Sequence, residues 1–408
     1  MARRFTAPDP ATPTRDPATP TPESGRAEPG PADLGACREH PELVNELRSH
    51  LRAATAAARE PLPERITQPL PAAPAAHAMV AHRGRVVANV HTGYADLFNA
   101  DGALLAEPRT LGPRDVFDVA SLTKIFVAVA ALSLIDDDML HLGDRVADHL
   151  PEFTGQGREE VTVQHLLTHT SGLPAVFDHW EPVADRAERI AVVLAQQPQH
   201  PPGRVHTYSC VGYQLLGLLL ERRTGRSLPE LLAGRVTVPL ALSDTGFDAV
   251  CAERTVPTEY QTSRGLVRGR VHDEAAWVLG RAGNAGVFST VADVLDLTEA
   301  IRTATGPVSP WMRGRLSTDA LDDAQRSATG YGQAVGLRVS DESFMGEDSA
   351  GLLGHTGFTG TSMVIDPARE LSIVLLTNRV HPYRTAFTVQ PLRRAVVAAA
   401  QRWADQYA

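Results

Sequence analysis

Ser121-Leu122-Thr123-Lys124-Ile125-Phe126-Val127-Ala128-Val129-Ala130 sets a hydroxyl at the mouth of an apolar run and an amine three residues after it. Residues three apart on a helix lie along one face, so the two side chains can touch. A serine hydroxyl is a weak nucleophile until a base takes its proton, and a lysine serves as that base when desolvation or neighbouring positive charge lowers its pKa. A helix N-terminus adds backbone N–H groups and the positive end of a dipole, which favour the negative charge that develops in acyl transfer. The pattern is short, and a capping serine with a solvated lysine also produces it.

Working outward, the rest of the chain supplies a frame for that pair. From Pro41 the apolar Leu43, Val44, Leu47 and Leu51 fall at helical spacing, which predicts an amphipathic helix at the start of the folded part, followed by a proline-rich link from Pro61 to Pro74. Met79-Val80-Ala81 and Val86-Val87-Ala88-Asn89-Val90 flank the turn signal Arg83-Gly84 and read as a β-hairpin. Near the other end, Ser362-Met363-Val364-Ile365 and Leu371-Ser372-Ile373-Val374-Leu375-Leu376 are joined through Asp366-Pro367, a second hairpin, and Leu392 to Trp403 is a final helix. Between the hairpins the clearest helical runs are Ile125–Ile135, Tyr213–Leu220 and Ala292–Ile301. An antiparallel sheet built from both chain ends and flanked by helices, with a mostly helical subdomain over roughly residues 136–280, is an α+β fold. Residues 1–36, rich in Pro, Thr, Ala and charge, have the composition of a disordered tail, which leaves 37–408 as the folded domain.

Composition narrows the function. The formal net charge of -9 on 408 residues, with no Lys/Arg block, excludes the electrostatic footprint of a nucleic-acid binder. The three cysteines, Cys37, Cys210 and Cys251, have neither C-x-x-C nor metal-ligand spacing, which points away from a disulfide scaffold and a zinc site and toward a reducing compartment. The start, Met1-Ala2-Arg3-Arg4-Phe5, runs into Pro, Thr, Asp and Glu without the apolar core of a secretory signal, and no stretch is long and apolar enough for a membrane span. The expected location is cytoplasmic.

Two further segments give the serine and lysine their meaning. Tyr208-Ser209-Cys210 lies between Pro201-Pro202-Gly203 and a helix, and Gly354-His355-Thr356-Gly357-Phe358-Thr359-Gly360 leads into the second hairpin. In this order the chain resembles the penicillin-binding protein and class C β-lactamase superfamily, with its S-x-x-K, Y-x-N and K-T-G or H-T-G elements. The resemblance spans about residues 75–400 and extends to His165 through Pro174, Val271-His272-Asp273-Glu274, Ala282 through Ser289, and Leu375-Leu376-Thr377-Asn378-Arg379. It is nearest the branch of low-molecular-weight penicillin-binding carboxypeptidases, muropeptide amidases and family VIII esterases.

The resemblance implies a β-lactamase/transpeptidase-like fold in which Ser121 is the acylated nucleophile, Lys124 its proton partner, and Tyr208 a phenol or phenolate base. Lys124 and Tyr208 then titrate as a coupled pair. His355, with Thr356, stands where β-lactamases carry Lys-Thr, so an imidazole there orients a substrate carboxylate or supports Tyr208 without a fixed cation. The implied oxyanion hole is the N–H of Ser121 and of Phe358, with Phe358 on an edge strand just past Gly357. Cys210 replaces the Asn of Y-x-N and, as a weak donor and acceptor, reads most simply as a small buried residue behind Tyr208.

Other polar groups invite competing readings. His165 and His169 have zinc-helix spacing, but Leu166 holds the place of the catalytic Glu, so both read as structural. His272-Asp273-Glu274 reads as site rim, Asn284 as a packed site wall, Asp136-Asp137-Asp138 as a solvated helix end, and Trp180 as a buried aromatic. The expected reaction is attack of Ser121 on an ester, amide or peptide-like small molecule, without cofactor or metal, giving an acyl-enzyme that water cleaves. Transfer to an amine or alcohol in specialised metabolism, and a catalytically silent binding protein, are the alternatives.

Overall fold

The structure, a computed structural model, describes residues 39–60, 62, 66–176, 186–248 and 251–407. The tail assigned to residues 1–36, Cys37 and Trp180 lie outside the described residues.

Helix α1 (Pro41–Ala57) begins with a proline, whose fixed φ suits the first helical turn, and buries Leu43, Val44, Leu47 and Leu51 on one stripe. The first hairpin is longer than the apolar runs alone predict: β1 (Ala75–His82) and β2 (Arg85–Phe98) are joined by Arg83 and Gly84, both at positive φ (51° and 76°). Two successive positive φ angles make the tight turn whose twist matches the flanking strands. Strand β3 (Leu104–Thr110) pairs with β2.

At the other end, β4 (Gly332–Gln333), β5 (Arg338–Val339), β6 (Leu353–Thr356), β7 (Ser362–Asp366) and β8 (Leu371–Thr377) complete one antiparallel sheet in the order β3-β2-β1-β8-β7-β6-β5-β4. The two chain ends meet where β1 pairs with β8, Leu371 opposite His82 and Thr377 opposite Ala76.

One face of the sheet packs α1 and the terminal helix α6 (Gln390–Tyr407) through Leu47, Leu51, Val80, Ile373, Val396 and Trp403. The opposite face packs α5 (Val291–Thr303), and α2 (Thr123–Asp136) belongs to the same apolar core. Helix α2 is apolar nearly all round, the composition of a helix enclosed on every side. Residues 136–280 carry α3 (Cys210–Thr224), α4 (Glu274–Leu279) and several shorter helices, together with a small antiparallel pair, Tyr260–Gln261 with Gly265–Leu266. Among the described residues no helix is long and apolar enough to cross a membrane.

Candidate active site

Ser121 does not sit in the first turn of α2, as the bare pattern suggests. It is the middle residue of a 3-10 turn, Ala120–Leu122, that feeds the helix. Ala120 has φ 48°, a conformation that costs an alanine free energy and persists only where surroundings impose it. Here Asp118 imposes it: its Oδ1 accepts the Ala120 N–H at 2.9 Å, while Thr361 Oγ1 donates to Val119 O at 2.9 Å.

Lys124, on α2, is 0 % exposed, and its Nζ donates to Ser121 Oγ at 3.0 Å and to Asn284 O at 2.9 Å and contacts Cys210 Sγ at 3.6 Å. The ammonium also lies 4.9 Å from the centre of the Tyr208 ring. Burial works to lower its pKa, but the negative charge that Cys210 and Tyr208 can carry outweighs it, so the net direction is up. Lys124 therefore holds its proton and donates to Ser121 Oγ, the opposite of the lowered pKa that a lysine acting alone as base requires.

Ser209 explains how Tyr208 and Cys210 reach this point. Its Oγ caps α3 by accepting the Gly212 N–H at 3.0 Å and donates to Pro174 O at 2.6 Å, which fixes the residues on either side. The reading of Cys210 as a buried filler is corrected: the thiol is partly exposed, lines the cleft and touches Lys124. The Tyr208 ring is packed by His169 at 4.6 Å and His355 at 5.8 Å between centroids, with the Arg338 guanidinium 5.3 Å from its centre.

Of the two roles expected of His355, support of Tyr208 fits its placement and direct contact with substrate does not. The residue is buried on β6, does not line the cleft, and neither ring nitrogen has a hydrogen-bond partner among the described residues. Burial, with Arg338 and Lys124 nearby, holds its pKa well below the usual imidazole value, so it is neutral and cannot stand in for a lysine ammonium. It supports the Tyr208 ring from behind. The cations of the cleft come from elsewhere: Arg338 on β5, Arg379 and Arg384 after β8, and Arg393 on α6.

The sequence reading missed these arginines as a group. One signal was present, since Arg393 falls on the stripe that α6 buries through Leu392, Val396, Val397 and Ala400, where a charged residue is out of place. Arg338 is paired with Asp341 at 2.7 Å, and Arg384 with Glu259 and Glu274. Arg379 and Arg393 have no carboxylate partner among the described residues; both donate to backbone carbonyls, Arg393 to those of Gly357 and Thr361 and Arg379 to that of Phe358. Burial and the neighbouring guanidinium groups lower the Arg393 pKa to about 9.

Strand β6 ends at Thr356, and β5 and β4 lie beyond it, so Phe358 is on neither an edge strand nor any strand. The Gly360 N–H bonds to Gly357 O at 3.0 Å and closes a turn that takes Phe358 out of the sheet. Among the described residues the Phe358 N–H has no hydrogen-bond partner. Its ring, 48 % exposed, stacks on His272 and lies beneath Arg379.

These parts enclose an open cleft of about 450 Å³. Ser121, Tyr208, Cys210, Thr356, Gly357 and Phe358 all line it, as do Asp273, Glu274 and the expected rim residue His272. His272 bonds Glu259 at 2.8 Å, and Asn284, expected as a packed site wall, is buried behind the cleft without lining it, its side chain donating to Asp273 and its carbonyl accepting from Lys124. His165 caps a short helix, and His169 accepts the Ser209 N–H, so each is occupied structurally. Among the described residues no group of three or more His, Cys, Asp or Glu is placed to hold a metal ion. Asp138 ends α2 at positive φ on the surface.

Comparison with known proteins bears on the family and the fold. The Beta-lactamase family model matches residues 64–398. N-acetylmuramyl-L-alanine amidase of Bacillus subtilis is 29 % identical over 345 residues, covering 76 % of this chain and 78 % of the amidase. Among solved structures, EstCE1, a hydrolase with promiscuous acyltransferase activity, aligns with a TM-score of 0.69 at 22 % identity, covering 87 % of this chain and 98 % of EstCE1. Simvastatin synthase (LovD) from Aspergillus terreus, as its LovD6 mutant, aligns at 0.69 and 19 % identity over 90 % of this chain and 96 % of its own. The structural likenesses establish the fold. The family match, spanning most of the chain, establishes more: this protein belongs to the beta-lactamase family of enzymes.

Proposed function

We propose that the protein is a serine hydrolase that forms a covalent acyl-enzyme on Ser121 and cleaves an ester or amide bond. The observation that carries this reading is the 3.0 Å contact between Ser121 Oγ and a fully buried Lys124 Nζ, because nucleophile and proton partner are already within transfer distance. Ser121 attacks the carbonyl carbon, and its proton passes to the Lys124–Tyr208 pair. The same proton then goes to the leaving alcohol or amine. The N–H groups of Ser121 and Phe358 hold the oxyanion, the second of them unpartnered among the described residues. Water, activated by the same pair, releases the acid.

Arg379 and Arg393, cations of the cleft without carboxylate partners among the described residues, favour a substrate that carries a negative charge. Val176 and Phe358, 58 % and 48 % exposed at the cleft, favour an apolar group beside it. This openness also favours a second outcome, in which an amine or alcohol replaces water as acceptor. The test is intact-protein mass after exposure to a serine-directed fluorophosphonate. A single adduct on the wild type and none on Ser121→Ala is expected. No adduct on either would leave a silent binding protein, and an adduct on both would move the nucleophile elsewhere.

A further inference from the structure

Asp118 lies three residues before Ser121, outside every motif that marks the site, and it is 2 % exposed with no cationic partner among the described residues. An isolated buried carboxylate is costly unless its oxygens are fully used. Here each oxygen takes a different backbone N–H: Oδ1 that of Ala120 at 2.9 Å, and Oδ2 that of His272 at 2.7 Å. Its carbonyl oxygen accepts from Thr359 Oγ1 at 2.8 Å. One residue therefore ties together three separate pieces of chain: the strained turn that presents Ser121, the rim that starts at His272, and the turn that carries Phe358.

We infer that Asp118 is a positioning residue for acyl transfer, whose two carboxylate oxygens fix the nucleophile turn against the His272 rim while its carbonyl holds the oxyanion turn to the same point. The inference rests on the reading of Ser121 as the acylated residue. The neighbouring geometry makes the register narrow. A Cβ on Gly357 would lie 2.5 Å from Val119 O, so the two turns are already in contact with no space between them. Misplacement of reacting groups by about 1 Å can cost on the order of a hundredfold in rate. Burial raises the Asp118 pKa, with the two N–H bonds opposing that shift, as befits a carboxylate held by dipoles instead of by a cation.

The requirement for two acceptors sets the test. Asn in place of Asp118 is nearly isosteric, but its NH₂ must face either the Ala120 or the His272 N–H, donor against donor. Asp118→Asn should lower the rate of Ser121 phosphonylation and kcat for an activated ester by tenfold or more, at a temperature well below its unfolding midpoint, with KM within about twofold of wild type. A merely structural residue would lower the midpoint and leave kcat of the folded fraction unchanged, and that result would overturn the inference. If Asp118→Asn does not fold, Thr359→Val, which cuts only the tie at the Asp118 carbonyl, gives the same kcat-against-KM comparison, and an unchanged kcat there overturns it equally. Failure of the wild type itself to form an adduct would instead sink the Ser121 reading, so the two failures are separable.

Discussion

Gly357→Ala is the substitution whose effect the structure specifies most closely. The added Cβ would fall 2.0 Å from Thr361 Oγ1 and 2.5 Å from Val119 O, where real Cβ atoms do not approach. Neither neighbour can give way cheaply. Thr361 Oγ1 is itself bonded to Val119 O at 2.9 Å, and Val119 is backbone of the turn that presents Ser121. Overpacking of this kind costs about 1–3 kcal/mol. The displacement must also be shared between the Ser121 turn and the Phe358 turn, so activity should fall further than stability alone explains. We expect an unfolding midpoint lowered by a few degrees, and ester turnover reduced by on the order of tenfold to a hundredfold, the scale of removing one oxyanion donor or misplacing it. Thermal unfolding followed by circular dichroism, with kcat measured at a temperature where both proteins are fully folded, separates the two effects. Adding Thr361→Ala removes the nearer clash but not the one with Val119 O, so it should restore stability only in part. Wild-type midpoint and turnover in Gly357→Ala would refute the reasoning, because they would mean that the two turns are not in contact as described.

Three further outcomes follow from the geometry. Cys210→Ala should lower turnover by less than about tenfold, because a thiol at 3.6 Å from an ammonium is a weak hydrogen-bonding partner; a hundredfold loss in steady-state assays would give Cys210 an essential part. Arg379→Gln should raise KM on the order of tenfold or more for an acyl donor bearing a carboxylate, and leave an uncharged analogue within about twofold. Equal effects on both donors would remove the charge argument. His77, buried and bonded to Asn89 at 2.7 Å, has its pKa lowered to about 4, chiefly by burial. The unfolded chain binds a proton there below about pH 6.5 and the folded chain does not until about pH 4, so stability from this residue is lost as pH falls through that window. Between pH 7 and pH 5, His77→Gln should therefore gain about 2 kcal/mol relative to wild type in denaturant titrations, and a constant difference would contradict the assignment.

The outline of the fold was legible because its signals are local. The Leu43–Leu51 stripe, the Arg83-Gly84 turn and the alternating runs of the second hairpin each encode their element within a few residues. That both chain ends share one sheet was expected from the two hairpins, but the pairing of β1 with β8 was not, since nothing local specifies a partner almost three hundred residues away. The Ser121–Lys124 contact was readable from helical spacing.

The remainder of the site depends on tertiary placement. Which way Cys210 faces is set by the Ser209 cap, and whether His355 reaches the cleft is set by the strands beyond β6. Arg338, Arg379, Arg384 and Arg393 converge from β5, the segment after β8 and α6, a grouping with no signature in any one stretch. Asp118 is similar, because an aspartate before an apolar pair looks like an ordinary turn residue until both of its oxygens are seen to be occupied.

The central claim, a covalent acyl-enzyme on Ser121, is tested most directly by rapid acid quench during turnover of an activated ester, with peptide mass mapping of the trapped protein. The account predicts an added acyl mass on the peptide that contains Ser121, formed within the first turnover and absent in both Ser121→Ala and Lys124→Ala. Ester turnover with no acylated Ser121 peptide, or with the label on another residue, would contradict it.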